Sequence, residues 1–370
     1  MLIQNVRILT CAGREIENGF IRIENGRIAA VSDMAHCPVE PDCIDGTGLV
    51  ACPGFIDAHS HAGLLEEGTG RDGANAVGAP ISPARRAQVG IYTSDGAFSA
   101  ALHSGITTLV IGPGSANPIG GTFCAVRTWG KTMEDMLLKD GVAMKFSFGE
   151  NPLRTDGGPK TRMQTAALLR QTLTLAVQYD ASRSAGTDVP FDFSLEALRP
   201  VVRGEMLVKC HAHRIDDIVT ALRIGKEFNL RISIEHATEG HLCPALLRGL
   251  PVSVGPVISD KGKNELINHC IENAGILASY GASVAIVTDH YENPEPLLPL
   301  YAALSCRGGM DKNEALCAIT KNAAKNCDIL DMVGTLEVGK LANICLFDRF
   351  PLDFDAKLCR LFAEGKEVAL

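Results

Sequence analysis

The apolar positions of this chain change period twice along its length. Over residues 1 to about 52 they alternate in strand fashion. Leu2-Ile3-Gln4-Asn5-Val6-Arg7-Ile8-Leu9 is followed by Phe20-Ile21-Arg22-Ile23, the turn Glu24-Asn25-Gly26, and Arg27-Ile28-Ala29-Ala30-Val31. Asn-Gly between two β-runs is a strong short hairpin signal, so this region predicts a small antiparallel sheet. The far end mirrors it: after a helix-like stretch from Lys312 to Leu330, Gly334 to Lys340 and Ala342 to Asp348 read again as turn and strand. Between the two ends, short apolar runs recur every 30 to 45 residues with helical patterning between them, as βα units do. The strand candidates are the run before His59, Thr107 to Ile111, Phe123 to Arg127, Val142 to Phe148, Met206 to His213, Arg231 to Glu235, Val252 to Val254 and Val284 to Thr288. Eight such units suit an α/β barrel, a fold of about 250 residues whose reactive groups gather where the strands end.

Composition narrows the class. The 370 residues are 46% hydrophobic with a mean hydropathy of +0.11, which indicates a chain with a sizeable core. A formal charge of −8 and a pI near 5.7 argue against nucleic acid or an anionic membrane as the main partner. No apolar run of about 18 residues is present, so no transmembrane helix is expected. The first residues lack a basic stretch followed by an apolar core, and no signal peptide is expected either. The 13 cysteines form no Cys-x-x-Cys pair and mostly sit in apolar runs. They read as reduced thiols of a cytoplasmic protein, with Cys37 and Cys43 the one weak hint of a bridge.

The chemistry starts at Pro53-Gly-Phe-Ile-Asp-Ala-His59-Ser-His61. Two residues apart on extended backbone, His59 and His61 leave the same face, which makes them either a chelating pair or two ordinary strand-end histidines. In Leu207 to His213 the same alternation puts Lys209, His211 and His213 on one face, too many polar groups for a plain buried strand. Two further strands end in polar residues, at Glu235-His236 and at Asp289-His290. A strand-end Asp is often only a helix cap; as the last of a series it reads as functional. The run Ala143 to Pro152 offers both Lys145, set between apolar neighbours, and Glu150 in Gly149-Glu150-Asn151-Pro152.

The Pro53 to His61 stretch resembles the first-strand signature of the amidohydrolase superfamily, metal-dependent hydrolases on a distorted (β/α)8 barrel. Val208-x-x-His211-Ala212 and Ile234-Glu235-His236 are similar to the fifth and sixth strands of its imidazolonepropionase and prolidase branches. Val284 to Asp289 is similar to its eighth strand. Ile119-Gly120-Gly121 and Arg162-Met163 also fit this branch, and the resemblance covers nearly the whole chain. It implies a barrel over residues 53–334 and an accessory β-sandwich formed by 1–52 with 335–370; such proteins usually follow Gly-Lys with Leu-Ala-Asp, where this chain has Asn343. It implies His59, His61, His211, His236 and Asp289 as metal ligands, with either carboxylated Lys145 or Glu150 as the bridging anion. Asp289, His236 and His213 carry the expected catalytic roles, His213 facing substrate or supporting a ligand.

The expected cofactor is one or two divalent metals, zinc first, with Mn, Fe or Co also suited to nitrogen and oxygen ligands. The expected reaction is hydrolysis of a cyclic or linear non-peptide amide of a small molecule by metal-activated water. A heterocycle deaminase is the second reading, but deaminase relatives carry an acid in His-Ala-x-Glu where this chain has Arg214. A dipeptidase-like hydrolase and a non-catalytic scaffold are further alternatives. Arg71, Arg85, Arg86, Arg154, Lys160 and Arg162 are candidate anchors for a substrate carboxylate, or solvated loop residues. His36, His103, His241 and His269 read as structural or surface residues, and His290 as a neighbour of Asp289. Similar proteins are often dimers or larger, so a homo-oligomer is expected.

Overall fold

The computed structural model describes residues 1–41, 43–76, 78–154 and 157–370. Its strands fall into two sheets. The first uses both ends of the chain: β1 (Leu2–Leu9), β2 (Glu15–Glu24), β3 (Arg27–Asp33), β4 (Cys43–Asp45) and β5 (Val50–Pro53) join three strands from the other end. The hairpin expected at Asn25-Gly26 is the β2–β3 turn, with both residues at positive φ.

The second sheet is the barrel. It runs in sequence order through β6 (Phe55–Ser60), β7 (Ile106–Ile111), β8 (Ile119–Arg127), β9 (Leu137–Ser147), β10 (Leu207–Ala212), β11 (Ile232–His236), β12 (Pro251–Val254) and β13 (Ser283–Ile286). The last strands, β14 (Ile344–Phe347), β15 (Leu358–Ala363) and β16 (Lys366–Val368), return to the first sheet, where β14 pairs with β5. Strands from the two ends share one interior of Ile3, Ile8, Ile21, Ile28, Ile344 and Phe362.

All eight expected barrel strands are present, but one runs the other way. β8 is antiparallel to both β7 and β9. Only residues 112–118 and 128–136 connect it to its neighbours, and a parallel crossover needs a dozen or more. The reversal therefore follows from loop length. The remaining barrel strands point one way, so β6, β9, β10, β11 and β13 all end at one rim. Helices cover the outside; Ile215–Glu227, for example, buries Ile218, Ala221 and Ile224 against the sheet.

The stretch from Lys312 to Leu330 forms two helices, Lys312–Ala318 and Lys321–Asn326. The break has a cause in the barrel: the Ile319 carbonyl accepts the backbone N–H of Ile56 at 2.8 Å, which takes it away from a continuous helix. All 13 cysteines are free thiols, Cys37 and Cys43 included. Among the described residues, no helix is long and apolar enough to cross a membrane.

Gly121 shows how tightly β8 is placed. Its φ is +119°, and an added Cβ would lie 2.5 Å from the Arg85 carbonyl oxygen. Gly121→Ala is expected to cost about 1–3 kcal/mol, read as a lower midpoint in urea unfolding. An unchanged midpoint would show that the backbone there relaxes freely.

Candidate metal centre

Strand geometry delivers the histidines to the rim. β6 carries His59 at its end and His61 just beyond, with ring centroids 5.4 Å apart. β10 brings Lys209 and His211, β11 ends on His236, and Asp289 follows β13. His236 and Asp289 leave their strands with φ of +71° and +55°. Non-glycine residues in that region are strained and tend to mark functional sites. At His236 the turn has a visible effect: Glu235 and His236 are sequence neighbours, yet both side chains reach His59, at 2.6 Å for Glu235 and 5.1 Å between rings for His236.

Three imidazoles have their Nδ1 tied to an acceptor. His59 Nδ1 donates to Glu235 Oε2 at 2.6 Å, His61 Nδ1 to the Gly112 carbonyl at 2.7 Å, and His236 Nδ1 to the Gly255 carbonyl at 2.8 Å. Carbonyls and carboxylates only accept, so a proton sits on Nδ1, and in the neutral ring Nε2 keeps its lone pair. His61 Nε2 is 3.4 Å and His59 Nε2 3.8 Å from Asp289 Oδ1. His211 is buried with neither ring nitrogen hydrogen-bonded. Such a group has no partner among the described residues and lines the cavity, open to one there.

Two sets of side chains bring one potential ligand atom each to within 4.8 Å of one another: His59, His236 and Asp289, and His211, His213 and His236. Burial lowers the pKa of His59, His211, His213 and His236, keeping them neutral as ligands must be. Asp289 faces the same rings, its oxygens 3.4 Å from His61 Nε2 and 3.8 Å from His236 Nδ1. Nitrogen and oxygen donors of this kind, with orphaned lone pairs, fit a divalent cation.

The two bridging candidates part company. Lys145 is fully buried, lines the cavity, and places Nζ 3.1 Å from His59 Nε2; burial lowers its pKa to about 8. Glu150 stands apart from the cluster. Its carboxylate lies 3.9 Å from an Arg162 nitrogen, and its backbone N–H donates to Glu265. Gly149, at φ +80°, breaks the strand between them and sends Glu150 outward. His213 sits at the cavity wall, Nδ1 2.8 Å from Thr238 Oγ1, so it stands among ligand-competent residues and not only beside substrate.

The cavity above these groups holds about 720 Å³, ample for a small molecule. Most of the suggested cationic anchors are engaged elsewhere: Arg71 with Glu66, Arg85 with the Gly73 and Ala74 carbonyls, Arg86 with Asp140, and Arg162 with Asp217. Arg154 donates to the Ala76 carbonyl, and Lys160 is exposed. Among the described residues, a cation at the mouth that sequence reasoning passed over is Lys263, whose Nζ is 3.1 Å from Asn151 Oδ1. Glu235 and Lys209 were also given no role. Their signal was present: Ser233 and Glu235 alternate along β11 opposite Lys209 and His211 of β10.

The fold and site define a (β/α)8-type barrel with a His/Asp cluster at its strand ends that could hold a metal. Comparison with known proteins gives the family. The profile of the amidohydrolase family matches residues 50–368. A crystal structure of an amidohydrolase from Thermotoga maritima MSB8 superposes with a TM-score of 0.93 and 32% identity, covering 100% of this chain and 99% of that one. Imidazolonepropionase of Brevibacillus brevis is 27% identical over 90% of this chain and 84% of its own length. Amidohydrolase tasK of Hapsidospora irregularis is also 27% identical over 94% of this chain, which spans only 39% of that longer protein. The chain belongs to the amidohydrolase family, and with it to the hydrolases that act on carbon–nitrogen bonds other than peptide bonds.

Arg162 Nε lies 3.0 and 3.1 Å from the two oxygens of the buried Asp217. Arg162→Ala is expected to cost on the order of 2 kcal/mol in urea unfolding, because it strands that carboxylate. A loss below about 0.5 kcal/mol would show that the pair is solvated.

Proposed function

We propose that the protein hydrolyses a cyclic or linear amide of a small molecule with divalent metal, most simply zinc, held by His59, His61, His211, His236 and Asp289. The observation that carries this reading is His211, buried with both ring nitrogens unpartnered and a member of one of two ligand-capable triads that share His236. Lys145 is the proposed bridging ligand, supported by its full burial and its place against His59. Its amine would add to carbon dioxide with loss of a proton, replacing a buried cation by an anionic carbamate. We take residues 53–334 as the hydrolytic barrel and 1–52 with 335–370 as an accessory unit, supported by the separation of the two sheets.

When bound, a divalent cation supplies Lewis acidity and makes a water acidic enough to attack near neutral pH. The residues do the rest. Asp289 takes the proton of the attacking water on a carboxylate oxygen and returns it to the leaving nitrogen. His236 and His213 line the cavity wall where the scissile bond would lie, and Lys263 at the mouth would favour a substrate with an anionic or polar tail. Imidazolonepropionase relatives, whose name denotes a cyclic amide substrate, make ring amides the first class to test. The deaminase reading is the alternative, and ammonia release from purines or pyrimidines would favour it.

Elemental analysis of protein purified without added metal is expected to give about two equivalents in wild type and in Glu150→Ala, and a clear drop in Lys145→Met. Loss in Glu150→Ala alone would reverse the choice of bridge, and a metal-free wild type would sink the hydrolase mechanism. With a substrate in hand from a screen of ring amides and N-acyl compounds, Asp289→Asn is expected to lower kcat by about 10²–10⁴-fold. Retention of kcat in that variant would remove Asp289 from the proton path.

A further inference from the structure

Behind His59, on its Nδ1 side, lies a chain of polar groups that the hydrolytic reading does not use. Glu235 Oε2 is 2.6 Å from His59 Nδ1 and 3.0 Å from Lys209 Nζ, while Ser233 Oγ donates to Oε1 of the same carboxylate. Each of these residues is at most 1% exposed. The arrangement is written into strand register, because Lys209 stands opposite Ser233 and His211 opposite Glu235 in the β10–β11 pairing. It also tells two similar lysines apart. Lys145 and Lys209 are partners across β9 and β10, with Nζ atoms 5.8 and 5.6 Å from the centre of the Phe123 ring. Glu235 compensates Lys209, and Lys145 is left to face His59 Nε2 and the cavity.

A buried ion pair is a poor stabiliser compared with apolar side chains of similar size. Its presence calls for another use, and the shared oxygen supplies one. We propose that Lys209 and Glu235 form a positioning pair for His59: the ammonium holds the carboxylate in place as an acceptor, which fixes the imidazole as the Nδ1–H tautomer with the Nε2 lone pair turned to the cavity. His211 has no such anchor on either nitrogen, so His59 is the more rigidly prepared ligand of the two. The proposal rests on the metal-dependent reading above.

The test replaces both charges together, so that neither is left stranded. Lys209→Met with Glu235→Leu is expected to keep the melting temperature of the metal-free protein close to wild type. Its affinity for zinc, measured by competition with a chromophoric chelator, is expected to fall about 10–100-fold. Lys209→Met with Glu235→Gln, which restores an acceptor to His59, is expected to recover part of that loss. Wild-type affinity in the Met/Leu variant would overturn the proposal. Zinc binding by neither wild type nor variant would overturn the metal-dependent reading and the positioning pair with it. Should the variants fail to fold, ¹⁵N-histidine spectra of metal-free wild type decide the matter, with the His59 signals assigned by their loss in His59→Gln. An unprotonated Nε2 on His59 is expected, and a protonated Nε2 would refute the pair's role.

Discussion

One carboxylate spans the seam of the barrel. The hydrogen-bonded strand path begins at β6 and stops at β13, and Asp57 bridges the remaining gap. Its Oδ1 accepts the His59 backbone N–H at 2.9 Å, and its Oδ2 accepts the Thr288 N–H and hydroxyl at 2.9 and 2.6 Å. Beyond it, the His61 N–H donates to the His290 carbonyl at 2.6 Å. The contacts that close the barrel thus lie within two residues of His59, His61 and Asp289, and set the distance between the two strands that carry them. Burial pushes the Asp57 carboxyl up to about 6 and, with the charge of Asp57, lifts Glu295 beside it well above the carboxylate range. The pair therefore holds one charge instead of two, which limits the cost of putting acids at the seam.

The same economy of charge runs through the interior. Lys145, Lys209 and Glu235 are fully buried, with Asp289 part-exposed at the cavity wall, and a lone charge at any of the first three would be costly. Glu235 cancels Lys209, while Asp289 stands among the imidazoles at the cavity wall. Lys145 is the member without a hydrogen-bonded anion, and it is the one that lines the cavity. A polar interior arranged this way adds little stability.

Much of this was readable from the chain because period-two alternation is strict in strands. His59 with His61, and Lys209 with His211, share faces as the spacing requires. What alternation missed are the places where the backbone leaves the strand. His236 and Asp289 reach the cluster through positive φ values that their residue types do not advertise, and Gly149 turns Glu150 away from it. Sequence left Lys145 and Glu150 unresolved because parity alone could not say whether that glycine broke the strand. The direction of β8 was hidden for a different reason: an apolar run has no sense of direction, and only the shortness of its two connections gives the answer. The role of Glu235 depends on register between two strands, which a single chain does not display.

The reversed strand has a consequence for access. Because β8 runs against its neighbours, its first residues, Ile119 to Gly121, stand at the rim where the others end, with Gly121 opposite Lys145. Gly120 lies over the lysine stem: an added Cβ there would be 3.5 Å from Lys145 Cγ and 3.1 Å from Pro113 Cβ. Larger side chains at that point would crowd Lys145 from above, and a parallel strand in the same slot would bring a different end of its sequence to the rim. Further down the same strand, Phe123 sets an apolar ring near both lysine ammonium groups. A single hairpin-connected strand thus lines the two lysines at one end with glycine and at the other with an aromatic ring. The glycine leaves room above the Lys145 stem, and holding two like charges near each other in the interior is eased by the ring.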